Sequence, residues 1–122
     1  MKLIPTAILI HVPDVAVGLA WYQQAFPQAV AEYLPEFDFT VLHVGNFTIE
    51  VVQADAKVCE GKRGTVLYWQ VESFDLAVEH LSKLGAKRYR GPMLIEGNKR
   101  MCQLEDPFGN LIGLKGDRKS VV

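Results

Sequence analysis

The chain has 122 residues, 49% of them hydrophobic and 22% charged, with a formal net charge of -1. That is one domain of ordinary size with enough apolar residues for a core of its own. A near-neutral balance excludes a surface built for nucleic acid or anionic membrane. Cys59 and Cys102 form no CxxC pair and lie in no secretory context, which points to two free thiols in a reducing, cytoplasmic compartment.

In chain order, the first element follows "TAILI", a run too short for a signal sequence or a membrane span and soon interrupted by His11 and Asp14. "ILIHV" reads as a strand. Asp14 then stands where a helix N-cap belongs, and Val15, Leu19 and Tyr22 recur at helical spacing as far as Pro27. "FDFTVLHVGNFTIEVV" reads as two strands joined at a Gly45-Asn46 hairpin turn. The polar segment "ADAKVCEGKRG", with two glycines, is a linker centred on residues 57–63. "LYWQV" repeats the strand reading, Ser73 the cap, and Phe74, Val78 and Leu81 the apolar helix face, with Gly85 at the exit. "RMCQLEDPFGNLIGL" closes the chain as two further strands, with Gly109-Asn110 as their hairpin turn.

The two halves are copies of one unit. "ILIHVPDVAVGLAWYQQAF" overlays "LYWQVESFDLAVEHLSKLG" at a constant offset of 59, matching Ile8 with Leu67, Val12 with Val71 and Leu19 with Val78. The predicted organisation is a single domain over 1–122, α+β in class. It is made of tandem β-α-β-β-β modules at 1–56 and 64–118, joined by the linker at 57–63.

Motifs for other chemistries are missing from the sequence. It contains no G-x-S-x-G nucleophile elbow, phosphate loop or dinucleotide fingerprint, and the glycines of "GNFTIE" and "GKRG" have no phosphate-binding spacing. Cys102, in "RMCQL", reads as a small buried hydrophobe rather than a nucleophile. Trp21 and Tyr22 lie in a helix, where packing against the sheet is the expectation for at least one of them.

The tandem repeat, with "HVPDVAVGLAWYQQAF" in the first half and "EDPFGNLIGL" ending the second, resembles the vicinal-oxygen-chelate superfamily of glyoxalase, bleomycin-resistance and extradiol dioxygenase proteins. The likeness covers nearly the whole chain, and the "DPFGN" hairpin is its most specific element. It implies that the modules form a concave mixed sheet. In metal-dependent members, each module supplies a histidine or similar ligand from its first strand and a carboxylate from its last. By that resemblance the four positions fall at Ala7 and Val66, at the offset of 59, and at Glu50 and Gly113, where "FTIEV" overlays "NLIGL" at an offset of 63. Only Glu50 offers a donor, whereas divalent sites need about three or more. The expectation is therefore no metal ligand set and no cofactor. His11 lies four residues along the strand from Ala7, roughly 13 Å away, so its use would require a redrawn site. His43 is in a strand of open facing, and His80 belongs on the second helix among charged residues.

Period-two alternation then gives the residues expected to line the concave face: Leu9 and His11 beside Ala7, Thr48 beside Glu50, Tyr68 and Gln70 beside Val66, and Leu111 and Lys115 beside Gly113. Trp69 falls on the opposite face, under a helix. Three readings stay open. The first is a metal-independent protein of the bleomycin-resistance type that binds a small organic molecule between modules or at a dimer interface. The second is a lyase, isomerase or dioxygenase-type enzyme using Glu50 as general base or as a lone metal ligand. The third is an interaction domain whose cleft is filled by its own side chains. Family habit and the need to cover exposed strand edges lead us to expect a homodimer, with modules paired within one chain or swapped between two.

Overall fold

The computed structural model describes residues 1–117 and divides the chain into two units, Met1–Glu60 and a second beginning at Gly61. The end assigned to the second module, residue 118, lies outside the described residues. The first unit runs β1 (Ala7–Val12), α1 (Val15–Ala25), β2 (Val30–Leu34), β3 (Phe39–Val44) and β4 (Phe47–Gln53). Its sheet has the order β1-β4-β3-β2, with β1 parallel to β4 and the other pairs antiparallel. The second unit repeats this with β5 (Tyr68–Gln70), α2 (Phe74–Lys83), β6 (Lys87–Ile95), β7 (Lys99–Glu105) and β8 (Leu111–Asp117), in the order β5-β8-β7-β6. The α+β class and the tandem β-α-β-β-β plan are thus those read from the sequence.

Both helices start where short polar side chains can satisfy the free amides of the first turn. Asp14 accepts from the Val17 amide at 3.2 Å, and Ser73 accepts from the Leu76 amide at 3.4 Å. The α1 helix lies on the sheet face that carries Val12 and Val51. It comes so close that a Cβ added at Gly18 would sit 2.8 Å from a Val12 methyl. Tyr22, the expected packing aromatic, is buried, with its ring stacked on Phe26 and set edge-on to Trp21. Phe74 and Leu81 of α2 are buried in the same way, among Leu104, Ile112 and Leu114 as the apolar core of the second unit. The Arg100 guanidinium covers the Phe74 ring, 4.7 Å from its centroid, and pairs with Asp75. No helix among the described residues is long and apolar enough to cross a membrane.

The two hairpins differ. Gly45-Asn46 is the two-residue turn expected, with Gly45 at φ +59 in its first central position. Gly109-Asn110 is not: β7 and β8 are joined by residues 106–110. The cause is Asp106, 3% exposed, whose carboxylate accepts from the amides of Phe108 and Asn110 at 2.8 and 2.9 Å. This side chain replaces the ladder and opens the loop three residues early. Both cysteines are free, Cys59 exposed and Cys102 buried.

Candidate functional site

In the first unit the fully buried Val12, Ile49 and Val51 turn toward α1. Alternation therefore puts Thr48, Glu50 and Val52 on the face opposite the helix. The register sets Ala7 beside Thr48, Leu9 beside Glu50 and His11 beside Val52, so the predicted residues Leu9, His11, Thr48 and Glu50 share one face. Leu9 is 53% exposed and Glu50 half-buried. The Thr48 hydroxyl donates to Glu50 Oε2 at 3.0 Å, and no hydrogen bond among the described residues engages Oε1. His43 stands directly across from Thr48 on β3, which settles its facing, and its Nε2 lies 2.7 Å from Glu32 Oε1. The Val58 and Lys57 amides donate to Asp55 and hold its carboxyl below its ordinary range, and His11 at the end of β1 adds a smaller pull in the same direction.

In the second unit Ile112 and Leu114 are buried, and position 116 on the same side abuts Phe74 of α2. Leu111, Gly113 and Lys115 consequently face the other way. Tyr68 pairs with Gly113 and Gln70 with Lys115, while Gln103 of β7 stands across Gly113 on its far side. The predicted set Tyr68, Gln70, Leu111 and Lys115 is thereby brought onto one face. Trp69 points to the opposite, α2 side, as expected, and is half-buried. The Tyr68 ring lies directly over Gly113: a Cβ added there would be 2.7 Å from ring atoms. Gln103 Nε2 donates to the Tyr68 hydroxyl at 2.8 Å. Leu9–Glu50 in the first unit and Tyr68–Gly113 in the second are equivalent pairs of the repeat.

These residues do not fit a divalent metal ion. Ala7 and Val66 lack donors, one pleat along stand Leu9 and Tyr68, and at the last-strand positions Glu50 is matched by Gly113. A glutamate side chain at 113 would have to displace the Tyr68 ring. Among the described residues no three of His, Cys, Asp or Glu are grouped so as to hold an ion. His80 lies in the last turn of α2, the helix on the side of the second sheet opposite Tyr68 and Lys115. Burial pushes the Cys102 thiol up, against the smaller effects of Arg88 and Arg100, so it stays a protonated core group.

Two features escaped the sequence reading. Gln103 was detectable, because in "MCQLE" Met101, Gln103 and Glu105 alternate with the buried Cys102 and Leu104. The Glu32–His43 pair had no such signal, since it joins strands β2 and β3 across a register that no local pattern specifies.

The sequence model of the Glyoxalase/Bleomycin resistance protein/Dioxygenase superfamily matches residues 5–114. No curated protein sequence matches. Among solved structures, fosfomycin resistance protein FosX from Listeria monocytogenes is similar at 19% identity, with a TM-score of 0.76 over 95% of this chain and 92% of that one. An integron cassette protein from the V. cholerae mobile metagenome matches at 19% identity and a TM-score of 0.73, over 95% of this chain and 97% of its own. A glyoxalase/bleomycin resistance protein/dioxygenase family enzyme from Burkholderia phytofirmans matches at 19% identity and a TM-score of 0.72, over 91% of this chain and 96% of its own. At these identities the likeness is one of fold.

Proposed function

The chain belongs to the glyoxalase/bleomycin resistance protein/dioxygenase superfamily, and on that premise we propose that it binds a small organic molecule without a tightly held metal ion. Glu50 is the observation that supports this reading. It is a half-buried carboxylate beside Leu9 and Val52, with one oxygen held by Thr48 and the other turned to no donor among the described residues. Such a group costs free energy unless a cation or a hydrogen-bond donor comes to it. A ligand that brings one is rewarded with a charge-assisted bond, and an apolar surface with few polar anchors is the usual make-up of a small-molecule site. In this reading the face of the first unit offers Leu9, His11, Thr48 and Glu50 for binding, and the face of the second offers Tyr68, Gln70, Leu111 and Lys115.

The same open Oε1 favours a second reading, in which Glu50 removes a proton from the bound molecule as a general base. The protein works as a homodimer in either case, which sedimentation checks; a mass equal to one chain at all concentrations would count against it.

Native mass spectrometry of protein purified from its host, with elemental analysis after dialysis, tests the main proposal. The expected result is a co-purifying organic molecule and no stoichiometric metal. Retention of about one divalent ion per chain would overturn the metal-independent reading. Fosfomycin, to which the Listeria relative confers resistance by its name, belongs in the first panel of added ligands.

A further inference from the structure

We propose that the second unit carries an oxyanion site on the face opposite α2, formed by the Tyr68 hydroxyl, Gln103 and Lys115, and that the ligand is accordingly a small organic acid, a carboxylate or a phosphoryl compound. The inference rests on the small-molecule reading above and adds the chemical class to it.

Tyr68 is fixed at two points. Its ring lies against the Gly113 backbone, where no Cβ would fit, and its oxygen accepts from Gln103 Nε2 at 2.8 Å. With the phenol oxygen already accepting, its own hydrogen is left to donate to a third group. Lys115 sits on the same face, across from Gln70 and one pleat beyond Gly113. That step along a strand is about 7 Å, well within the reach of a lysine stem. Lys62, Lys83, Lys99 and Arg100 each have a carboxylate partner, but no ion pair engages Lys115 among the described residues.

Competition for these donors is weak. Two acidic groups share this face: Glu105, across from Leu111, is held by Lys62 at 3.1 Å, and Asp117, one pleat beyond Lys115, is paired with Lys99 at 3.9 Å. The surrounding charge has the right sign as well. Residues 61–117 carry nine Lys and Arg against seven Asp and Glu, whereas residues 1–60 carry two against seven. A hydroxyl donor, a positioned amide and an ammonium beside apolar Leu111 and Met101 suit an oxyanion on an organic body. In the equivalent place of the first unit stands the carboxylate of Glu50, so the equivalent faces of the two units differ in charge.

The test titrates the full chain at constant ionic strength with sodium benzoate, sodium phosphate and, as the opposite charge, benzylammonium chloride, read by protein chemical shifts. Saturable binding of benzoate or phosphate is expected, and which one binds separates the carboxylate from the phosphoryl class. Tyr68→Phe, which keeps the ring over Gly113, and Lys115→Met should each weaken it by about tenfold. Gln103 is a positioning residue. Gln103→Glu turns its hydrogen bond around, so that the phenol donates inward; melting without ligand should stay near wild type while the anion response is lost, a separation that a purely structural role would not give. Binding of benzylammonium alone would overturn the oxyanion site and leave the small-molecule reading standing on Glu50. No saturable response to either anion, or a response unchanged in Tyr68→Phe and Lys115→Met, also overturns it, while a co-purified molecule of another class would keep the broader reading intact.

Discussion

Tyr68 lies over Gly113, with ring atoms 2.7 Å from where a Cβ at position 113 would stand. The glycine in the last strand is thus explained by close approach: it makes room for an aromatic ring on the neighbouring strand. The base of that ring cannot swing aside as the tip of a flexible chain would.

Gly113→Ala should therefore destabilise the protein by about 1–3 kcal/mol, the usual range for overpacking. Adding Tyr68→Ala should remove that cost, giving a coupling of about 1 kcal/mol or more between the two positions. Urea denaturation of the two single variants and the double variant measures it. Additive losses would mean that the ring relaxes without cost.

Glu50→Gln should leave stability within about 1 kcal/mol of wild type, because the amide oxygen can still accept from Thr48 and a partly desolvated charge is removed. Affinity for the co-purified ligand should fall by roughly tenfold or more. A loss of several kcal/mol in thermal unfolding would instead identify Glu50 as part of a structural pair.

Asp106→Ala should cost about 2–3 kcal/mol, since it strands the amides of Phe108 and Asn110 in a loop whose carboxylate is 3% exposed. Asp106→Asn retains an acceptor and should cost less. Denaturant midpoints of the two variants give the order.

The Cys102 thiol, raised above its ordinary value of 9.0 by burial, makes stability fall in alkali. The unfolded chain gives up this proton at lower pH than the folded one, so the contribution is intact below pH 9 and is lost as pH climbs toward the folded value. Cys102→Ala should flatten that part of the pH–stability curve. At neutral pH, iodoacetamide should modify the exposed Cys59 and reach Cys102 only on unfolding. Equal rates at both would show that the core opens readily.

The repeat carried most of the fold within the sequence itself. Asp14 and Ser73 cap helices through atoms one turn away, and the apolar spacing of Val15, Leu19 and Tyr22 follows from the helical period, so local chemistry was enough. The same held for the facing of Glu50, because Ile49 and Val51 on either side of it had to be buried. The second hairpin departs from its local signal, because Gly109-Asn110 has the composition of a two-residue turn while the buried Asp106 sets the longer loop.

Sequence alone determined the class, the two modules, the alternation of faces and the absence of donors at Ala7, Val66 and Gly113. Register across strands belonged to the tertiary structure. It decided that Tyr68 rests on Gly113, that Gln103 holds its hydroxyl and that Glu32 meets His43. Period-two patterning says which face a side chain takes, but not which residue on another strand it meets. That choice depends on how hydrogen-bond ladders align segments far apart in the chain, and here it turned a glycine with no donor into the seat of a positioned tyrosine.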